Sequence, residues 1–278
     1  MRVKNRLKII PVPKQIVTGV TTYKRDFDNI VLSEIAKHYI FVKENELADA
    51  VFSFSTLQKP LLHSMEYVKA PIYQILHNDG IAIHEKFIGE YTNHRFVTHY
   101  THFYRWAIEK HLKCFFIPMS IDTEWLPYRH NENKKIIYFS NIYDEKNKTI
   151  FEMKEMGLEF DTMSQGKFNG NGDFNWNEAI EIVSEYEYGI GVGRSAIEML
   201  AMGMKVIIAG KKIGGVISNN EELTKHWATN CNSVGYSNYK GNLLDEIKNL
   251  KFIIAKENRK IFDMRNYLKN YKLFFNIE

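Results

Sequence analysis

The chain has 278 residues, of which 45% are hydrophobic and 25% charged, with a formal net charge of +4. This length suits two domains of common size with apolar residues enough for buried cores. So small a basic excess fits anionic donors, anionic polymers or a membrane surface without choosing among them. No stretch approaches the roughly 18 apolar residues that span a bilayer, and the basic N-terminus lacks the apolar run of a signal peptide. Cys114 and Cys231 lie far apart without metal spacing and read as free thiols of a cytoplasmic protein that at most rests on a membrane.

Apolar runs predict strands at Ile16–Val20, Tyr39–Val42, Ala50–Phe54, Pro71–Leu76, Arg95–Thr98 and Cys114–Ile117. Asp28–Lys37, Leu57–Tyr67 and His102–His111 predict helices between them. This alternation argues for a parallel, doubly wound sheet in a first domain over residues 1–117. Asp26-Phe27-Asp28 matches an Asp-x-Asp metal pair in form, but no buried strand end precedes it. Its carboxylates are better explained as helix-start residues favoured by capping and the dipole. His77 follows a buried-type strand and precedes the turn Asn78-Asp79-Gly80. Ligands of open α/β sheets bind beyond the carboxyl ends of strands, so His77 is either a functional or a structural histidine. His99 and His102 could share a helix face, but no acidic or thiol partner stands at metal spacing, and no metal site is expected. Tyr100, Phe103, Tyr104 and Trp106, beside Arg105, Lys110 and Lys113, either meet a membrane, sugar or base or pack into the core.

A linker at Pro118–Arg129 opens a second alternating set over residues 118–278, with strands at Lys135–Ser140, Glu159–Met163, Glu187–Val192 and Lys205–Ala209. Gly166–Asn177, rich in Gly and Asn, reads as a loop with no apolar helix directly after it. The most informative stretch is Tyr188–Ser218. A short strand ends in Gly191 and Gly193, and a helix with Ile197, Leu200, Ala201 and Met204 on one apolar face begins at Arg194 and Ser195. Gly203 stops it, and Val206, Ile207 and Ile208 form a second strand. The first N–H groups of such a helix are unpaired and its dipole is positive there, which suits phosphate, and the Arg194 guanidinium adds a fork for phosphate oxygens. Glu198, one turn on, could reach ribose or sugar hydroxyls. Strand–glycine–helix–strand units also occur without a ligand, and the full dinucleotide pattern is absent, so the residues alone leave both readings open. Ile261, Met264, Leu268, Tyr271 and Phe275 fall at helical spacing near the C-terminus.

The stretch resembles the donor-binding core of nucleotide-sugar glycosyltransferases of the GT-B architecture, two facing Rossmann-like domains. The nearest likeness is to the large retaining group of the family 4 type. Further matches follow in order over about residues 115 to 235. Phe116-Ile117-Pro118-Met119-Ser120-Ile121-Asp122-Thr123-Glu124 resembles that group's interdomain linker. Ile136–Ser140 with Asp144-Glu145-Lys146-Asn147 resembles the first donor-domain strand and its turn. Gly214-Gly215-Val216-Ile217 resembles the glycine loop lying over the nucleotide. Two places depart from the pattern: Asn141 stands where the group has an arginine, and Ile190 where it has a sugar-binding glutamate.

The resemblance implies a reduced N-terminal acceptor-side domain and a C-terminal nucleotide-sugar domain, with the last helix packing back on the first. It implies a retaining, metal-independent hexosyltransferase without cofactor, using a UDP-sugar first among nucleoside diphosphate sugars, the donor lying between the domains. His77, Lys146 and Arg194 would be catalytic, and Gly193, Ser195, Glu198, Gly214 and Gly215 would bind the donor. The acceptor could be a glycan, a lipid-linked glycan, a protein or modified DNA. A sugar-phosphate epimerase or phosphorylase on the same fold stays open, as does a non-catalytic glycan- or polymer-binding module.

Overall fold

In the computed structural model, which describes residues 5–10, 27–42, 50–53, 71–76, 81, 85, 93–140, 148–210, 212–231, 239 and 241–277, the short apolar runs of the N-terminal part become strands. These are β1 (Asn5–Ile10), β2 (Tyr39–Val42), β3 (Ala50–Ser53), β4 (Ile72–Leu76), β5 (His94–Thr98) and β6 (Lys113–Phe116). They form one sheet in the order β2-β1-β3-β4-β5-β6 with every pairing parallel. All five residues of β4 are buried, as a parallel strand covered on both faces requires. The strand expected at Ile16–Val20 and the helix expected at Leu57–Tyr67 lie outside the described residues. The sequence reading passed over β1, because Arg6 and Lys8 interrupt its apolar run. The predicted helix Asp28–Lys37 is a π-type turn, Phe27–Leu32, followed by one short α-turn, Ser33–Ile35.

Helix α1 (Thr101–Glu109) settles the fate of the aromatic group. Tyr100, Phe103 and Trp106 are buried and pack with Leu76, Phe96 and Cys114. The aromatic stripe is core and not a membrane or base-stacking face, because apolar area beside a sheet gains most by leaving water. Burial also pushes the Cys114 thiol up to about 12, against a bond from Phe115, which makes it inert.

The second set comprises β7 (Ile136–Phe139), α2 (Lys148–Glu155), β8 (Asp161–Ser164), β9 (Lys167–Phe168), α3 (Trp176–Val183), β10 (Tyr188–Gly191), α4 (Gly193–Ala201), β11 (Lys205–Ala209), β12 (Ile213–Val216), α5 (Asn220–Trp227) and α6 (Leu243–Asn249). Its sheet runs β12-β11-β10-β7-β8-β9. The inner four strands are parallel and the two outermost antiparallel. Two expectations need correction. A helix does follow the Gly/Asn-rich stretch at once: Asn175 caps α3 by accepting from Asn177 and Glu178 amides, and Glu178 returns a bond to the Asn175 amide. Gly214 and Gly215 belong to a strand rather than a loop, because the chain turns back after β11 and pairs with it.

The chain divides into two compact units, unit 1 being Met1–Pro118 with Arg265–Glu278 and unit 2 being Met119–Met264. The C-terminal residues break into 3-10 turns at Arg259–Phe262 and Met264–Tyr267 before α7 (Leu268–Phe274). Within unit 1, Phe274 and Phe275 lie 5.4 and 5.2 Å from the Tyr73 ring, and Phe275 lies 5.2 Å from Phe52. The Tyr39 hydroxyl donates to the Phe275 carbonyl at 2.7 Å, and Lys272 pairs with Glu34 at 2.7 Å.

Candidate functional site

In unit 2 the chain moves from β7 outward to β8, then returns to the far side of β7 for β10 and continues to β11. The carboxyl ends of β7 and β10 are therefore the switch point of this sheet, where the connections leave in opposite directions and open a crevice. Glycine allows the local packing. A Cβ on Gly189 would stand 2.1 Å from Met199 Sδ. One on Gly191 would stand 2.8 Å from Met199 Cε and 2.9 Å from the Phe139 carbonyl oxygen. Helix α4 thus lies directly on β10, and its start is held against the end of β7. Gly193 has φ +58°, a left-handed conformation that favours glycine.

Val192, the N-cap of α4, makes no side-chain capping bond. The Gly193 amide donates to the Cys231 carbonyl at 3.3 Å. That carbonyl belongs to a turn where Asn230 and Cys231 both have positive φ, 55° and 47°, and buried Asn230 reaches within 3.9 Å of a Cβ built on Gly193. The turn is held in place from α5. The Cys231 amide donates to His226 at 2.7 Å, and the Trp227 indole donates to the Met119 carbonyl at 2.7 Å. The linker residues Met119–Thr123 are themselves fixed, since Thr123 Oγ1 donates to the Asp263 carboxylate at 2.6 Å. His226 is fully buried, and burial lowers its pKa to about 4, with Glu222 opposing and Lys225 assisting.

Arg194 stands in the first turn of α4. Its Nε donates to Glu198 Oε1 at 2.7 Å, with the two side chains 13% and 0% exposed. The Glu198 carboxylate, expected from sequence to meet ribose, is fully buried and orients this guanidinium. Such a pair is retained for geometry more than for stability, because desolvation offsets most of its attraction. Ser195 is buried beside Gly191. Not every buried pair marks a site: Lys205 and Glu187 pair at 2.6 Å at the amino ends of β10 and β11, at the other edge of the sheet. Burial alone would raise the Glu187 carboxyl, but the Lys205 ammonium and the Lys134 amide hold it below its ordinary value.

The residues singled out from sequence therefore separate. Gly193, Arg194, Ser195 and Glu198 lie together in the first two turns of α4. Gly214 and Gly215 line a cavity of about 770 Å³ along β12, to which none of those four contributes. His77, next after β4, and Lys146, in the connection after β7, lie outside the described residues, as does Asn141. Sequence reading missed Gly189, Asn230 and Trp176. The Trp176 ring stands 5.1 Å from Phe139 at the end of β7. Gly189 was open to view as one more alternate glycine, whereas Asn230 and Trp176 reach the crevice only through the fold. Among the described residues no group of three or more His, Cys, Asp or Glu could hold a metal. No helix among them is long and apolar enough to cross a membrane. His99 is no ligand: fully buried, it donates from Nδ1 to the Ile117 carbonyl at 2.6 Å.

Chemically, the crevice offers a positive helix end, backbone amides and an oriented guanidinium beside a strand end, a combination suited to an anion. The fold and crevice together define a Rossmann-like α/β protein. A solved structure described as a glycosyltransferase from Rickettsia africae ESF-5 is similar along 100% of both chains, with a TM-score of 0.51 and 12% sequence identity. At that identity the likeness is one of fold. No protein-family model matches the chain, and no curated protein matches it.

Proposed function

We propose that the protein is a glycosyltransferase that moves a sugar from a nucleoside diphosphate sugar, a UDP-sugar first, to an acceptor hydroxyl with retention and without metal. The observation that carries this reading is the glycine-lined start of α4 at the switch point of unit 2, with Arg194 held in its first turn by buried Glu198. The solved glycosyltransferase of similar fold supports the class. In this proposal the amides after Gly193, those of Arg194 and Ser195, and the Arg194 guanidinium stabilise the leaving diphosphate as its charge develops. Lys146, in the connection after the neighbouring strand β7, adds a second cation. His77, after β4 of unit 1, meets the donor sugar. Glu198 positions Arg194 in place of binding ribose. The acceptor is a glycan, lipid-linked glycan, protein or modified DNA.

One observation favours a second reading. Ile190 is fully buried in β10 where the resembled group has a sugar-binding glutamate, so a non-catalytic module that still binds a nucleotide is the main rival. UDP and GDP should each be tried for a rise in melting temperature with and without a chelator, and UDP- and GDP-sugars for nucleotide release. The proposal expects stabilisation in chelator, by about 2.7 kcal/mol at a hundredfold excess over Kd, and slow release of nucleotide. Stabilisation only with manganese or magnesium overturns the metal-free mechanism, and binding without any release selects the module. Arg194→Ala should weaken UDP at least tenfold while leaving uridine binding unchanged, since a bond to a charged group contributes roughly 1.5–3 kcal/mol.

A further inference from the structure

The cavity of about 770 Å³ opens along the outer edge of the unit 2 sheet, away from the start of α4. Its floor is Gly214 and Gly215 of β12, the edge strand. There the ladder with β11 slips: Ile208 faces Gly215 and Ala209 faces Ile213, which leaves Gly214 as an inserted residue without a counterpart. Bulges of this kind are common at sheet edges and beside sites, where they re-aim the strand. Gly215 has φ +90°, and a Cβ on it would stand 3.0 Å from the Tyr239 ring. The floor is thus bare backbone by steric need, and its volume falls within the roughly 300–1,000 Å³ range of small-molecule sites.

The walls decide the ligand. Glu222 and Lys225 come from α5, Glu246 from α6 and Lys251 from the segment beyond it. Glu222 and Lys225 pair at 3.4 Å, and burial raises the Tyr239 phenol, with the nearby Glu246 carboxylate raising it further. Among the described residues, the lining carries two carboxylates and two ammonium groups and is neutral. A nucleoside diphosphate, carrying several negative charges, gains no net attraction from it. A ligand bearing many hydroxyls finds carboxylates that accept, ammonium groups that donate and the carboxamides of Asn219 and Asn249, which do both. Phe252 and Tyr239 supply ring surface for the C–H face of such a ligand.

We infer that this cavity binds a neutral saccharide. The site is independent of the nucleotide reading: it occupies other residues, and it reassigns Gly214 and Gly215 from the nucleotide to a sugar. The test is saturation-transfer NMR on the full chain with three neutral disaccharides, lactose, cellobiose and N,N′-diacetylchitobiose, in the absence of nucleotide. Transfer to at least one of them is expected, with a Kd in the millimolar range or tighter. Asn249→Trp, at the exposed last position of α6, should fill the cavity mouth and weaken binding at least tenfold with an unchanged melting temperature. Glu246→Gln, which removes the charged acceptor, should weaken it similarly. No transfer to any of the three, or wild-type binding by Asn249→Trp, overturns the inference. Displacement of the saccharide by UDP overturns it too, since the cavity would then belong to the nucleotide. A melting shift with UDP but no saccharide binding rejects this inference alone and leaves the nucleotide site standing.

Discussion

The two units contain the same local device with opposite contents. In unit 1, β5 runs into α1, and in unit 2, β10 runs into α4. Both helices are nine residues long, and both begin at an extended N-cap residue, Tyr100 or Val192, without a side-chain capping bond. Around the first, Phe96, Thr98 and His99 are fully buried, and the His99 ring closes the turn by its bond to Ile117. Around the second, Gly189 and Gly191 let Met199 of the helix lie directly on the strand, Gly193 turns the chain with a positive φ, and the fully buried carboxylate of Glu198 holds a guanidinium in the first turn. Side-chain bulk at the last strand positions, more than topology, decides how closely the following helix lies on the strand and what its first turn presents.

The strongest way to break this comparison is to remove the carboxylate. Glu198→Ala leaves Arg194, 13% exposed, without its buried partner, and should destabilise the protein by roughly 3–5 kcal/mol, the usual cost of stranding one member of a buried pair. Urea denaturation of the variant checks it, and a loss under 1 kcal/mol would show that the pair is not what holds the turn. Glu198→Gln should retain most of the stability yet still weaken UDP, because the guanidinium is less firmly oriented.

Acid tests both units at once. Burial lowers His99 to about 4 against the opposing Ile117 bond, and His226 likewise to about 4. Each is neutral in the fold, while in the unfolded chain it takes up a proton near pH 6.5. Between about pH 6.5 and 4 the unfolded state binds more protons, so stability falls as pH falls, by about 3 kcal/mol for each histidine at pH 4. Stability measured at pH 7, 5 and 4 should show this slope. His99→Gln, which can keep a donor to Ile117, should remove about half of it; an unaltered slope would mean that His99 is accessible to protons in the fold.

The smallest effect sharpens the role of glycine. Gly191→Ala forces a Cβ to 2.9 Å from the Phe139 carbonyl oxygen, a backbone atom that cannot move alone, and should cost about 1–3 kcal/mol. Gly189→Ala meets only the flexible end of Met199 and should cost less. If the order of the two is reversed in thermal denaturation, the contact with β7 is not what sets the start of α4.

Periodicity in the sequence determined most of the elements, because alternating short apolar runs and helical faces arise from local geometry. Tyr39–Val42 and Lys205–Ala209 coincide with β2 and β11 to the residue. Gly193, Arg194 and Ser195 were legible for the same reason: a glycine turn before an apolar helix face is contained in a dozen consecutive residues. Elements whose stability comes from distant partners were not legible. β12 is a strand only because β11 lies beside it, and the terminal aromatics find their place only against Phe52 and Tyr73. Tertiary structure alone decided that Glu198 faces Arg194, that Asn230 reaches Gly193, and that Gly214 and Gly215 belong to another cavity. A sequence lists which groups are available, but burial and through-space approach determine which of them meet, and those are properties of the packed chain.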